Sequence, residues 1–210
     1  VPNGKYRGTR FTAEQMQEIR YASLLHDFGK IGVREPVLVK AEKLYPHELE
    51  VLRARFELAR KDRQLLSCQR CLDAVRMGTP LDQAEAAERA RLEQELADVD
   101  GVLDFILACN KPTVLAQGGF ERLTELSQRS FQDSRGRVLP LLSPHEVQVL
   151  AIPRGSLSAV ERREIESHVT HTFRFLSQIP WTRALKRVPE IAYAHHEKLD
   201  GKGYPRSIPS

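Results

Sequence analysis

The spacing of apolar residues along the chain is helical almost throughout. At its start, Thr12 and Gln15 form a T-x-x-Q pair that fits a helix capping box. Apolar residues then recur three positions apart on one helical face, and Gly32 is a natural stop. This face consists of Ile19, Ala22, Leu25 and Phe28, with Leu24 beside it. We therefore predict an amphipathic helix over 12–30, followed by a short extended connection over 33–44.

The middle of the chain predicts two long helices. Residues 46–109 are charged and helix-rich, and a Gly-Thr-Pro sequence at 78–80 interrupts them once. The simplest interpretation is an antiparallel helical hairpin with arms near 46–76 and 82–109. A short helix near 120–131 follows. Irregular loops around it are indicated by Gly118, Gly119, Ser134, Arg135 and Gly136.

Two further helix starts precede the end of the chain. Residues 143–146 and 158–161 both read S-x-x-E, the pattern of a capping box. The second opens a strongly amphipathic segment that ends at Pro180. A last helix is predicted over 189–198, before a glycine-rich turn. These patterns together predict an all-α fold.

Composition and charge narrow the class of protein. The chain has 210 residues, of which 41% are hydrophobic and 29% charged, as expected for a globular protein with a substantial core. No apolar run approaches the roughly 18 residues of a membrane span, and VPNGKYRGTR does not resemble a signal peptide. The net charge of +4 is spread among interspersed acids without a basic block rich in aromatics, so DNA binding is not indicated. Because the first residue is not Met, we expect an excerpt of a longer protein.

The cysteines indicate a reducing compartment, so we expect a cytoplasmic protein. Cys68 and Cys71 form a C-x-x-C sequence in a charged helical stretch, but no second pair completes a zinc site. A structural role is therefore the preferred interpretation of this pair.

Two adjacent pairs of metal-capable residues are the main chemical feature. His26-Asp27 lies at the end of the first predicted helix, with Lys30 one turn later. Neighbouring helical residues point about 100° apart, so this pair could serve two close cations with the carboxylate bridging them. Taken alone, the pair is more commonly a polar end of a fraying helix. His195-His196 and the helical His168 favour metal binding, and mixed imidazole and carboxylate ligands suit iron or manganese better than structural zinc.

Other histidines are assigned lesser roles. His171 lies on nearly the same helical face as His168 and is predicted to support a ligand or to lie at the edge of the core. Glu197 could orient a histidine through its second ring nitrogen. His47 and His145 each follow a proline at a helix start, where an exposed residue is expected.

The sequence LDGKGYP at 199–205 predicts a tight turn after the histidine pair. Asp200 and Gly201 are typical turn residues, and this turn would fix the end of the preceding helix. Tyr204 and Pro205 are expected to pack against that helix.

Two of these stretches resemble a known family. YASLLHDFGKIGV at 21–33 and HHEKLDGKGYP at 195–205 resemble the HD-GYP family, a subgroup of the HD-superfamily metal phosphohydrolases. The segment ERREIESHVTHTFRFLSQI at 161–179 is similar to the family helix that carries an intermediate metal-binding histidine. The resemblance covers about 18–44 and 157–209.

The resemblance implies an all-α HD-type bundle that hydrolyses the bacterial second messenger cyclic di-GMP. The product would be the linear dinucleotide pGpG and, in some members, GMP. It implies two or three divalent metal ions, iron or manganese, with Asp27 bridging and Lys30 contacting a substrate phosphate. The implied ligands are His26, Asp27, His168, His195 and His196. The turn would shape the site and offer a surface to diguanylate cyclase (GGDEF) domains through Asp200, Gly201, Gly203, Tyr204 and Pro205.

The sequence also departs from the family pattern. The family carries a further histidine ligand upstream of the HD pair, and an arginine and an aspartate ligand downstream of GYP; we expect these to lie outside the excerpt. Residues 45–156 stand where the family has a brief connection, so we predict an inserted helical subdomain between 1–44 and 157–210. The insertion could mediate dimerisation or signal coupling, or be a solvent-exposed elaboration. The alternative to an enzyme is a signalling module that binds nucleotide or a GGDEF-type partner without turnover.

Overall fold

The computed structural model of the chain describes residues 8–133 and 135–208. With 63% helix and 4% strand, it confirms the all-α prediction. The chain divides into two compact units, one formed by Val1–Val39 and Ala159–Ser210 and the other by Lys40–Ser158. Three parts of the sequence predictions lie outside the described residues. They are the start of the N-terminal stretch that does not resemble a signal peptide, the predicted loop residue Ser134, and the last two residues of the second predicted HD segment.

The elements of the described ranges follow one another in a simple order. In the first unit and the start of the second they are α1 (Ala13–Leu25), a 3-10 helix (Phe28–Gly32), α2 (Glu35–Leu38), α3 (Pro46–Arg76) and α4 (Leu81–Asn110). They continue with α5 (Gly119–Ser127), β1 (Ser130–Gln132), β2 (Val138–Pro140) and α6 (Pro144–Leu150). The chain then returns to the first unit with α7 (Ala159–Leu176), a 3-10 helix (Arg183–Leu185) and α8 (Val188–Tyr193).

The first unit is held by the packing of α1, α7 and α8. Thr12 and Gln15 form the predicted capping box, since each side chain accepts the backbone N–H of the other residue. The buried Glu18 of α1 accepts the backbone N–H of Arg187 at 3.0 Å, which places a carboxylate at the positive N-terminal end of α8. The small core between these helices contains Ala22, Leu176, Val188 and Ala192. These contacts position the end of α1 beside the end of α8.

The second unit is built on the long helical hairpin that the sequence predicts. The arms α3 and α4 begin and end within a residue of the predicted limits and are joined at 77–80. Leu52 and Phe56 of α3 and Ile106 of α4 are fully buried in its core. Lys43 is also fully buried, and its Nζ donates to the Leu150 carbonyl at 2.8 Å, at the C-terminal end of α6.

Two predictions between the helices are wrong. The helix predicted near 120–131 ends at Ser127, and residues Ser130–Gln132 form β1, which pairs antiparallel with β2 and places Phe131 opposite Leu139. Phe131 is buried while its neighbours are exposed, so the strand is stabilised by burial of one side chain against this unit's core. The connection at 33–44, predicted to be extended, contains α2, where Pro36 occupies a first-turn position that tolerates proline.

The C-terminal limits of the site helices also differ from the predictions. α1 ends at Leu25, α7 ends at Leu176 rather than at Pro180, and α8 ends at Tyr193 rather than at residue 198. In each case the chain continues in turns or a 3-10 helix. His26, Asp27, His195 and His196 therefore lie just beyond helix ends, not within helices.

Two remaining features concern the whole described chain. Among residues 8–133 and 135–208, no helix is both long and apolar enough to cross a membrane. Cys68, Cys71 and Cys109 are free thiols, and none of them belongs to a metal-capable group within the described ranges.

Candidate metal centre

The HD pair occupies the turn between α1 and the following 3-10 helix. The Asp27 carboxylate lies at the centre of this turn, with its Oδ2 atom 2.7 Å from the Lys30 amine and 3.2 Å from Nε2 of His26. Its other oxygen, Oδ1, faces the opposite way, towards histidines from distant parts of the chain. The short 3-10 helix explains this geometry because its three-residue turn returns Lys30 directly over Asp27.

A threonine of α7 holds this turn in place. The hydroxyl of Thr172, which is fully buried, donates to the His26 carbonyl at 2.9 Å and accepts the Gly29 N–H at 2.8 Å. Gly29 lies directly against the α7 backbone, so close that a Cβ atom there would stand 2.0 Å from the His168 carbonyl oxygen. Sequence reasoning assigned no role to Thr172 or Gly29, and their contacts span more than a hundred residues of sequence.

α7 and the turn after α8 bring three more histidines to the Asp27 carboxylate. His168 is buried on α7, and its Nε2 lies 3.4 Å from Asp27 Oδ1. His195 follows α8, with Nε2 3.9 Å from the same oxygen. The ring of His196 lies beside both, with its centroid 5.2 Å from that of His168. Thus the structure brings together all five residues of the predicted ligand set.

Three of these histidine rings are oriented by the same kind of hydrogen bond to the backbone. Nδ1 of His26, His168 and His195 lies 2.7, 2.5 and 2.6 Å, respectively, from the backbone carbonyl three residues earlier in the chain. A carbonyl oxygen can only accept, so Nδ1 must carry the proton in each ring. In the neutral imidazole the lone pair is then on Nε2, and all three Nε2 atoms face the Asp27 carboxylate.

The distance between two of these Nε2 atoms is the best test of whether a cation fits. Nε2 of His168 lies 3.3 Å from Nε2 of His195, and neither bears a proton in the neutral tautomer assigned above. Two lone pairs at this distance repel each other unless a cation lies between or beside them. Burial, followed by the influence of neighbouring histidines, lowers the pKa of both His195 and His196, which favours the neutral form that binds metal. The donor set therefore fits a metal.

The carboxylate at the centre of the histidines is suited to contact two cations. The described residues contain two metal-capable groups that share His195: one adds His168 and His196, and the other adds His26 and Asp27. Burial alone would raise the pKa of the Asp27 carboxyl, but the Lys30 hydrogen bond and the nearby histidines outweigh it and lower that pKa. Asp27 is consequently ionised at neutral pH and available as a ligand.

The glycine-rich turn packs on the histidine pair. The Lys202 N–H donates to Asp200 Oδ1 at 2.9 Å, and Gly201 adopts a positive φ of 71° that favours glycine. Gly203 is in close contact with the backbone of His196, where a Cβ atom would lie 2.5 Å from the carbonyl oxygen. The Tyr204 ring stacks on the His196 ring at a centroid distance of 4.5 Å. The turn therefore restrains His196 from two sides, and Pro205 continues it through a cis peptide bond.

Glu197 has a different partner from the predicted one. Its two carboxylate oxygens accept the backbone N–H groups of Arg206 and Ile208, at 2.7 and 3.1 Å. The carboxylate thus ties the chain after the turn back to the histidine segment, instead of orienting a histidine ring. The reason is that the chain reverses at the glycine turn and brings unpaired backbone donors next to Glu197.

The remaining histidines lie in other surroundings. The His171 ring is pressed against Gly32, and its Nδ1 is buried without a hydrogen-bond partner among the described residues. This matches a histidine at the edge of the core. In the second unit, exposed His47 stacks on Tyr45, and Nε2 of the exposed His145 lies 3.0 Å from a carboxylate oxygen of Glu48.

Replacing Thr172 with valine is expected to loosen the HD turn. The variant keeps the shape of the side chain but leaves the His26 carbonyl and the Gly29 N–H without their buried partner. We expect a loss of about 2 kcal/mol in unfolding free energy and roughly 10-fold weaker metal binding. Urea unfolding and calorimetric titration with Mn²⁺ measure these effects. Thr172→Ser, which retains the hydroxyl, should restore most of the metal affinity; if serine behaves like valine, the hydroxyl does not position the turn.

Comparison with known proteins finds a family model that matches part of the chain. An HD-domain family model matches residues 139–209, about a third of the chain. The matched part includes His168, His195 and His196, whereas His26 and Asp27 lie outside it. The match supports the HD superfamily, whose members are metal-dependent phosphohydrolases.

One curated protein shares part of the sequence. The 3'3'-cGAMP-specific phosphodiesterase 3 of Vibrio cholerae is 41% identical over 54 residues, which are 26% of this chain and 11% of that protein. The chain thus matches only about a tenth of the length of this relative. No solved structure shows significant similarity to the chain.

Proposed function

We propose that this chain is an HD-GYP-type phosphodiesterase that hydrolyses a cyclic dinucleotide, with cyclic di-GMP as the first candidate substrate. The single observation that carries the proposal is the convergence of three Nε2 lone pairs on both sides of the Asp27 carboxylate. The pairing of this cluster with the GYP turn supports the HD-GYP type. The cyclic dinucleotide in the relative's name supports the substrate class.

In this proposal five residues hold two divalent cations. His195 is common to both metal-capable groups, and Asp27 contributes one oxygen to each side. Divalent cations activate water near neutral pH and neutralise charge on a phosphoryl group in the transition state. The imidazole and carboxylate donors favour iron or manganese. The ligands are His26, Asp27, His168, His195 and His196.

Lys30 is proposed to bind a substrate phosphate. Its side chain is 44% exposed, so the amine can reach solvent while remaining paired with Asp27. When a phosphodiester enters beside the carboxylate, the ammonium group can donate to a non-bridging oxygen and stabilise the charge that develops there. The ion pair with Asp27 keeps the amine at the entrance of the site before substrate binds.

We also propose the cellular setting that the family resemblance implies. The three free thiols support a reducing cytoplasm.

The exposed Lys202 and Arg206 on the glycine turn support the use of this turn as a surface for a GGDEF-type partner, because they are charged and lie beside the site. His171 and Glu197 are assigned positioning roles, His171 beneath the 3-10 helix and Glu197 at the base of the turn.

A turnover assay with a panel of nucleotides tests the proposed function. The protein is loaded anaerobically with Fe²⁺ or Mn²⁺ and incubated separately with cyclic di-GMP and 3'3'-cGAMP, and the products are separated by chromatography. We expect metal-dependent formation of a linear dinucleotide, with His47→Ala as a control of unchanged activity. Bound metal without product from either substrate would contradict the enzyme. If nucleotide still bound under those conditions, the alternative of a binding module without turnover would replace it.

A further inference from the structure

The outer face of α3 carries a regular row of exposed apolar side chains. Val51, Leu58, Leu65 and Leu72 are seven residues apart, and each is between 51% and 58% exposed. Isolated exposed leucines are normal on protein surfaces, but a continuous apolar row marks an interaction surface. This row extends over most of a 31-residue helix.

A second row completes a heptad pattern. Three residues after each member of the first row is another exposed position. We name the two rows together the α3 seam, which consists of Val51, Ala54, Leu58, Lys61, Leu65, Cys68, Leu72 and Val75. At 100° per residue the seam lies opposite the buried face of the helix, represented by Leu52, Phe56 and Ala59. α3 thus has one face for its own hairpin and a second apolar face directed outwards.

The exposed face of α4, the other arm of the hairpin, has the composition of an ordinary solvated helix face. After Leu81 at its start, every exposed position of α4 is Ala, Gly, Gln or a charged residue. α3 and α4 have nearly equal lengths and pack against each other. The apolar seam therefore distinguishes α3 from the helix that it packs against.

The length of the seam is sufficient for a helix–helix interface. From Val51 to Val75 it rises by about 36 Å and contains four heptad pairs, the range in which apolar heptads indicate a coiled coil. A strict seven-residue repeat fits a partner helix with the same repeat, because knobs of one helix enter holes of the other. A second copy of this chain supplies such a helix.

We propose that two copies of this chain associate through the α3 seam as an antiparallel pair. In this arrangement the two-fold axis passes near residue 63. Each leucine of the first row then faces a smaller or flexible side chain of the second row, and the two valines at the ends of the seam face each other. The facing pairs are Val51 with Val75, Ala54 with Leu72, Leu58 with Cys68 and Lys61 with Leu65. Pairing large with small side chains fills each layer to a similar volume.

A parallel arrangement fits the same residues poorly. In a parallel pair in register, Lys61 would face Lys61 of the second copy, which places two like charges in one layer. Ala54 would face Ala54 of the second copy and leave a void. The antiparallel arrangement places the two Lys61 side chains in adjacent layers, roughly 6 Å apart along the seam, and sets each beside a leucine, where its apolar stem packs and its amine reaches solvent. The choice of a second copy, and of its direction, therefore follows from the order of residues in the seam. It does not depend on the proposed function, since no seam residue belongs to the metal centre.

The oligomeric state of the full chain tests the interface. We expect a dimer by sedimentation equilibrium at micromolar concentration. We expect at least about 100-fold weaker association when Leu58→Glu and Leu65→Glu are combined, because four carboxylates would enter the seam. Val114→Glu, at an apolar position of the same unit that is more exposed than either leucine, is the control and should remain dimeric. A monomeric wild-type chain at 100 µM, or an unaffected double variant, would overturn the proposal.

Cysteine cross-linking tests the direction of the pair without relying on a destabilised protein. In a Cys71→Ser background, the two native Cys68 residues of an antiparallel pair are roughly 15 Å apart along the seam, beyond the reach of a disulfide. We expect no cross-link under mild oxidation until Leu58→Cys is added, which places a thiol opposite Cys68 of the second copy. Cross-linking by Cys68 alone would indicate parallel helices and would refute the antiparallel pair.

Discussion

An Asp27→Asn variant is expected to lose at least about 1,000-fold in kcat/KM for cyclic dinucleotide hydrolysis. Asparagine has nearly the same shape but has no negative charge and cannot offer an oxygen to each side of the site. In the structure one carboxylate oxygen faces His26 and Lys30, and the other faces His168 and His195. The substitution removes the negative charge from the metal-capable group of His26, Asp27 and His195 and from beside His168 of the other group. It should therefore abolish metal retention together with turnover.

The same substitution should leave the fold of the metal-free protein almost unchanged. The Asp27 side chain is 39% exposed, and its ion pair with Lys30 is also accessible to solvent. Pairs of this kind contribute about 0–1 kcal/mol to stability. The turn itself is held by the buried Thr172 hydroxyl through backbone groups that asparagine does not alter. A loss of activity with an unchanged melting temperature thus separates a ligand role from a structural one.

Metal analysis after gel filtration and the nucleotide assay measure the two effects. His145→Ala is a suitable control, because this histidine also contacts a carboxylate but lies in the other unit and belongs to no metal-capable group among the described residues. Its metal content and turnover should equal those of the wild type. An Asp27→Asn protein that kept its metal and more than about a tenth of its turnover would refute the assignment of Asp27 as a ligand.

The long helices were the easiest part of the fold to predict from sequence. The limits of α3 and α4 follow from local chemistry, since Gly78 and Pro80 interrupt a strong helical pattern that nothing else breaks. The capping boxes at Thr12 and Ser143 are also local and form as predicted. The short strands around Phe131 depend on a single buried contact with a distant core, so no local periodicity indicated them.

The sequence indicated the residue types of the candidate site but not the residues that support them. Adjacent metal-capable pairs and a helical histidine are visible in the sequence, and the structure brings them together. The helix ends next to them were misplaced because tertiary hydrogen bonds replace the helical ones there. Thr172 lies 146 residues from the His26 carbonyl that it binds, and Glu18 lies 169 residues from the Arg187 N–H. Only the folded chain shows that an ordinary threonine and an ordinary glutamate hold the segments that carry the predicted ligands.

A Gly29→Ala variant is expected to lose both stability and the metal site. A Cβ atom at Gly29 would stand 2.0 Å from the His168 carbonyl oxygen and 2.5 Å from the Thr172 backbone nitrogen. Both atoms belong to the backbone of α7, so no side-chain rotation relieves the overlap. The 3-10 helix must move away from α7, which breaks the Gly29 hydrogen bond to Thr172 and displaces Asp27 from His168. We expect a loss of about 3 kcal/mol or more in unfolding free energy.

Graded substitutions distinguish this steric cause from the general effect of losing a glycine. Gly32→Ala, in the same 3-10 helix, meets only the His171 side chain at 2.8 Å, which can move, so about 1 kcal/mol is expected. Gly101→Ala, in the middle of α4 with open space around it, should stabilise its helix by roughly 0.5–1 kcal/mol. Urea unfolding and Mn²⁺ titration of the three variants give the comparison. Since the same turn carries His26 and Asp27, wild-type stability and metal affinity in Gly29→Ala would mean that close packing on α7 does not hold the ligands in place.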